Sequence, residues 1–248
     1  MEAQAQPITL GRMFSESYAL LSLKPLPVLA LCAIGLGFDA FVTYVGGFIT
    51  VGYGTPIFSV MSTLLQEVLY FGAAVLLWDL AIGARSATEG QGEEPLSDSS
   101  AFAVIFSGFR EPRAWVIAAL VTVTYVVFGS ILLCIGAVAT AGAIFVPGAL
   151  LVVSKVVSTL VGPLVGVGYI ATALAVARPN RSGMDSMIAG MKLMFARPLM
   201  VGLVLGVGGF LEEAAAMTFV LGVVLDAFLL CYCAVYLRAL RMNGELSD

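Results

Sequence analysis

Histidine does not occur in the 248 residues, and charge is nearly as scarce. Without imidazole, a zinc site would have to be built from cysteine and carboxylate alone. Hydrolase chemistry finds no support either: no Gly-x-Ser-x-Gly elbow occurs, and the soluble loops hold no paired carboxylates at a convincing spacing. Only 11% of the residues are charged, against 60% hydrophobic, whereas soluble domains average about a quarter charged and half apolar. With a mean hydropathy of +1.02, the chain lies outside the soluble range. Its length and apolar content suit one helical membrane domain over residues 1–248. A broad basic surface is missing too. The net charge of −4 and the small size of the basic clusters argue against nucleic acid as a partner.

Cysteine is sparse, and Cys32, Cys134, Cys231 and Cys233 all sit in apolar stretches. Cys231 and Cys233 fall on a predicted helix, where positions i and i+2 point to different faces. All four are read as helix-packing residues, with no metal, disulfide or cofactor implied. Met1 to Pro7 carries no basic residue, and the first long apolar run begins near Leu26. That run is read as a retained first span rather than a cleaved leader.

What charge there is falls in a pattern. Of the 12 Lys and Arg residues, all but Lys155 lie in four groups. These are Arg12 and Lys24; Arg85, Arg110 and Arg113; Arg178, Arg181, Lys192 and Arg197; and Arg238 and Arg241. Each interval between groups is apolar and long enough for two crossings of about 20 residues. Short cytoplasmic segments hold an excess of Lys and Arg. The expectation is therefore an all-α polytopic membrane protein with six transmembrane helices in three hairpins and both termini cytoplasmic. The spans are placed at about 26–48 and 57–84, 114–136 and 154–177, and 199–211 and 214–237. A third crossing within 114–177 would move the Arg178–Arg197 group outside, so residues 137–153 are assigned to an extracytoplasmic connection.

A repeat accompanies the pattern. Each hairpin follows a short amphipathic segment that ends in a cation and a proline: Lys24-Pro25, Arg110-Glu111-Pro112-Arg113 and Arg197-Pro198. Phe102, Ile105, Phe106 and Phe109 have helical spacing in the second segment, as do Met184, Met187, Ile188, Met191, Met194 and Phe195 in the third. Ser182-x-x-Asp185 resembles a capping box. Proline after the cation can stop one helix and start the next. The units run over about 8–85, 99–178 and 182–241, with a flexible acidic linker at 86–98. Each amphipathic segment is expected to lie in the cytoplasmic headgroup layer.

Asp39, Glu67 and Asp226 fall inside predicted spans. An ionised carboxylate at a helix centre costs about 2.5–3.5 kcal/mol on insertion scales, so such residues face an interior or a water-filled cavity. Two uses are open: a proton or cation relay, partly neutralised by Lys155, or a buried polar network that holds helices together. Gly162-xxx-Gly166 and Gly202-xxx-Gly206 have the spacing that lets helices approach closely. Trp78 and Trp115 flank the cytoplasmic boundary and are read as interfacial anchors.

The segments FSESYALLSLKPLPVLAL and GPLVGVGYIATALAVARPNRSGMDSMIAGMKLMFARPLMVGL, the latter at 162–203, give the chain a familiar layout. A Gly-Pro-containing span, a basic loop and an amphipathic helix follow one another. In this it resembles prokaryotic six-span proteins, including YciC-like proteins and the membrane domain attached to some glycerophosphodiester phosphodiesterases. The resemblance implies an inner-membrane protein without a catalytic domain and supplies no catalytic residues. The expected function is non-enzymatic: a membrane-organising or accessory subunit in a prokaryotic cytoplasmic membrane. Its partners would be the lipid bilayer and a membrane protein or second copy of the chain. The alternative is a small transporter or channel that uses the buried acids.

Overall fold

The computed structural model describes residues 8–49, 55–88, 98–124, 126–127, 166–208 and 219–246, and every regular element among them is helical. In chain order these are α1 (Leu10–Leu23), α2 (Pro25–Ile49), α3 (Thr55–Thr88) and α4 (Asp98–Ile105), which tightens into a 3₁₀ turn over Phe106–Arg110. Then come α5 (Pro112–Thr124) and α6 (Gly166–Ala177). They are followed by α7 (Gly183–Ala196), α8 (Pro198–Gly208) and α9 (Phe219–Met242). Lys155, Gly162, Cys134, Glu212, Glu213 and the connection 137–153 lie outside the described residues. So does most of the linker, at 89–97. Asp39 belongs to α2, but its side chain is likewise outside them.

The helix breaks fall at the cation-proline positions. Between α1 and α2 the chain bends by 94° at Lys24, and between α7 and α8 by 104° at Arg197. Proline has no N–H to continue the preceding ladder and its fixed φ suits a first helical turn. At Pro198 the new helix opens with a wide π turn, Pro198–Leu203, before it settles. At the second site, the 3₁₀ turn ends at Arg110 and Pro112 opens α5, with Glu111 between them in extended conformation.

Two helical stretches are long and apolar enough to cross a membrane, Val60–Ile82 and Phe219–Met242. Each bent pair also qualifies if counted as one span, which makes four among the described residues. α9 is the central post. Leu229 to Leu237 is buried on every side, the signature of a helix enclosed by others. Tyr232 and Tyr236 stack along it with ring centroids 6.3 Å apart. α1 packs on α9 through Met13, Leu20 and a Phe14–Phe228 stack at 5.4 Å.

Lipid tails are as apolar as leucine, so helix association in a bilayer rests on close packing and interhelical hydrogen bonds. Among the described glycines, the tightest approach joins α3 to α4 and its 3₁₀ extension. A Cβ at Gly72 would sit 1.6 Å from the Ile105 carbonyl oxygen, and one at Gly108 would sit 2.3 Å from that of Val68. α6 meets α8 in the same way, with a Gly166 Cβ only 2.6 Å from Leu205 Cβ. Of the glycines singled out by spacing, Gly166 thus makes a close contact, with the Leu205 side chain. Gly202 has only an ordinary one, 3.4 Å from Met194 O, and Gly206 is half-buried.

The apolar stripes divide between two surroundings. Met187 and Met194 are buried, whereas Met184, Ile188, Met191 and Phe195 are exposed. Trp78 is buried beneath Arg241, whose guanidinium lies 5.9 Å from the ring centroid, so it is an inward packing residue. Trp115 is exposed and donates its Nε1–H to Phe109 O at 3.1 Å.

Candidate functional site

Three helices meet around one carboxyl group. Asp226 on α9 is fully buried. Its Oδ2 accepts a hydrogen bond from Tyr70 Oη on α3, and its Oδ1 accepts one from Tyr169 Oη on α6. The two tyrosine rings lie 5.4 Å apart, centroid to centroid. Gln66, one turn before Tyr70, donates its Nε2–H to the same hydroxyl at 2.6 Å. The i, i+4 spacing places Gln66 and Tyr70 on one face of α3. A chain of donors thus runs from Gln66 through Tyr70 to Asp226 and is met from the far side by Tyr169.

Glu67 stands beside this chain. It is buried on α3, and its Oε2 has no hydrogen-bond partner among the described residues. Its carboxyl lies against α6 at Gly168, where a Cβ would come within 3.2 Å of Oε1. Glu67 and Asp226 are near enough to interact as like charges. Thr172, one turn along α6 from Gly168, also has a buried hydroxyl without a partner among the described residues, as does Thr122 on α5. Of the four residues expected to form a buried polar network, Glu67 and Asp226 are therefore neighbours. Lys155 and the Asp39 side chain lie outside the described residues.

The tyrosines that hold Asp226 carried no mark in the sequence. Their partner is 156 residues away for Tyr70 and 57 for Tyr169, so no local spacing records the pairing. One weak signal existed: tyrosine placed within a span rather than at its rim needs a partner for its hydroxyl.

A second polar layer gathers at one end of the bundle. Arg238 Nη1 donates to Ala81 O of α3 at 3.1 Å, and its Nη2 donates to the Glu16 carboxylate of α1. Glu16 also accepts from Arg12 Nε at 2.6 Å. Arg113 Nη1 donates to Ala175 O at 3.0 Å and Pro179 O at 2.8 Å, closing the end of α6. Its Nε donates to Glu111 at 2.8 Å, and that bond holds the Glu111 carboxyl below the usual range. Arg197 pairs with Glu245 beyond α9. Arg113 thus satisfies one of the last carbonyls of α6, which have no intrahelical partner, and its charge complements the macrodipole there.

At the start of α7, Ser182 Oγ accepts from the Asp185 N–H at 3.1 Å while Asp185 accepts from the Ser182 backbone N–H, a reciprocal capping box. The Ser182 side-chain hydrogen bond is the main reason the Asp185 carboxyl sits below its ordinary value.

Cys32, Cys231 and Cys233 are buried and unbridged. Among the described residues, no three Cys, Asp or Glu side chains are grouped as a metal site would require. The chain matches no protein-family model, no curated protein and no solved structure.

Proposed function

We propose that this is a non-enzymatic, multi-pass membrane protein whose buried acids serve assembly, and that it acts as a membrane-organising or accessory subunit. The observation that carries this reading is the bridging of Asp226 to two other helices. Both carboxyl oxygens are taken by hydroxyls from two other helices, which is how a buried polar group behaves when it ties elements together. The finer architecture belongs to the same proposal: six spans in three repeated hairpins, amphipathic helices on the cytoplasmic face, and both termini inside a prokaryotic inner membrane. The two bends at cation-proline junctions support the repeat. The gathering of arginines at one end supports the orientation.

The test is co-purification in mild detergent followed by mass measurement. A stoichiometric membrane partner or a defined homo-oligomer is the expected outcome, and a solitary protein would count against the accessory role.

One observation favours a second reading. Glu67 Oε2 is buried without a partner beside Asp226, an arrangement that proton or cation pathways use. On that reading, vesicles containing the protein pass protons or cations down an imposed gradient, and Glu67→Gln reduces the flux at least tenfold. No flux in wild-type vesicles under varied gradients removes the transport reading.

A further inference from the structure

We propose that α7 carries a binding site for one anionic phospholipid, with the phosphate on one side of the helix and an acyl chain on the other. The inference rests on the membrane-embedded reading above and adds a ligand to it. Two cavities lie along α7. The first, about 220 Å³, is lined by Leu174, Arg178 and Arg181 from the end of α6 and the turn after it, and by Asp185, Ile188 and Lys192 from α7. The second, about 140 Å³, is apolar and is lined by Val121, Val167, Met184, Met187, Ile188 and Met191 among others. Ile188 borders both.

Charge decides what the first cavity can take. Three cations face one carboxylate, and that carboxylate is already engaged by Ser182 in the capping box. Arg178 Nε is buried with no hydrogen-bond partner among the described residues, so a donor is left over. Arg181 and Lys192 are exposed and can close on an oxyanion. Guanidinium donors match phosphate geometry, and lysine adds a mobile point charge.

The second cavity decides that the phosphate belongs to a lipid. Leu174 in the cationic cavity and Val167 in the apolar one lie two turns apart on α6, a rise of about 11 Å. The cationic cavity is the one next to Arg178, at the arginine end of the bundle; the apolar one is further into the span. A phospholipid has this order, headgroup at the interface and chain within. Ile188, which borders both cavities, is exposed, as are Met184 and Met191 on the apolar one, so a lipid lying across α7 would reach both from the surface. Methionine adapts its shape to an irregular apolar partner.

The test uses the purified full chain in a neutral detergent. It measures, by native mass spectrometry and by competition with a fluorescent lipid, binding of dioleoyl phosphatidylglycerol, dioleoyl phosphatidylcholine and inorganic phosphate. Phosphatidylglycerol is expected to bind at least tenfold more tightly than phosphatidylcholine, with no competition from millimolar phosphate. Lys192→Gln, on an exposed position, should reduce that preference severalfold, and Arg178→Gln with Arg181→Gln should abolish it. Ile188→Trp, which fills the edge of the groove, should weaken both lipids. Thermal unfolding of each variant in lipid-free detergent separates lost binding from lost fold. Equal binding of the two lipids, competition by free phosphate, or an unchanged preference in Lys192→Gln would overturn the proposal. None of these outcomes bears on whether the protein purifies with a partner or passes ions, so failure here leaves the accessory reading standing.

Discussion

A tyrosine hydroxyl is a modest donor, and Asp226 uses two of them. Interhelical hydrogen bonds inside membrane proteins average about 0.6 kcal/mol and reach about 1.7. Tyr70→Phe and Tyr169→Phe are therefore each expected to cost about 1–2 kcal/mol, at the upper end because the acceptor is a carboxyl. Together they should cost more than the sum, since the second loss strips a buried carboxyl of its last hydroxyl donor of the pair. Denaturation in mixed micelles of the four-protein cycle measures this, and strict additivity would show that Asp226 finds substitute partners. Glu67 and Asp226 were legible from the sequence because an acid inside an apolar run is conspicuous. Tyr70 and Tyr169 were not, because tyrosine is unremarkable in such a run until its distant partner is known.

At the scale of helices, the contact between α3 and α4 is backbone against backbone. Adding a methyl group at Gly72 drives a Cβ to 1.6 Å from a carbonyl oxygen, and no flexible side chain is there to yield. Gly72→Ala should thus destabilise by at least the upper end of the usual overpacking range, about 3 kcal/mol. Gly11→Ala, which meets nothing within 4 Å, should be neutral or slightly stabilising, since alanine is the better helix former. Thermal unfolding of the two variants side by side checks the contrast; equal behaviour would mean that α3 and α4 separate at little cost. The junctions at Lys24-Pro25 and Arg197-Pro198 were readable in advance, because proline acts locally through its ring and its missing N–H. The Gly72–Ile105 approach was not, because close packing depends on what lies opposite. The capping box on α7 was also readable, being a matter of four consecutive residues. Asp185 titrates below its ordinary value of 3.8 in the folded chain. Its cap accordingly contributes fully above that ordinary value and is lost as the pH falls through the depressed one. Hydrogen exchange in the first turn of α7, corrected for the intrinsic rate, should accelerate over that acidic window in the wild type. In Ser182→Ala it should already be fast at neutral pH. Identical protection in the two proteins at neutral pH would show that packing, not the cap, fixes the helix start.

For the molecule as a whole, the arginine layer joins α3 and α9 to the middle of α1, and the end of α6 to the start of α5. A cavity in this layer is lined by Trp78, Arg178, Pro179 and Arg241 among others. The layer predicts that single cysteines at Asn180 and Glu245 react with an impermeant maleimide from the same side of sealed vesicles. Labelling from opposite sides would break the three-hairpin topology. Helical class was available from composition and spacing; the depth to which Trp78 is buried was not, since interfacial and inward tryptophans look alike in one dimension.

The two right-angled junctions have a mechanical consequence. With the apolar helices upright, bends of 94° and 104° lay α1 and α7 nearly flat. Each has 14 residues, so each is about 21 Å long and about 10 Å wide. Side by side they add roughly 400 Å² of footprint to one leaflet and none to the other. The described residues are then broader at the arginine end, and a wedge of that kind prefers a bilayer that curves away from its broad side. In small vesicles, where the outer leaflet is the stretched one, the same maleimide labels should be found mostly outside. In large, nearly flat vesicles that bias should disappear.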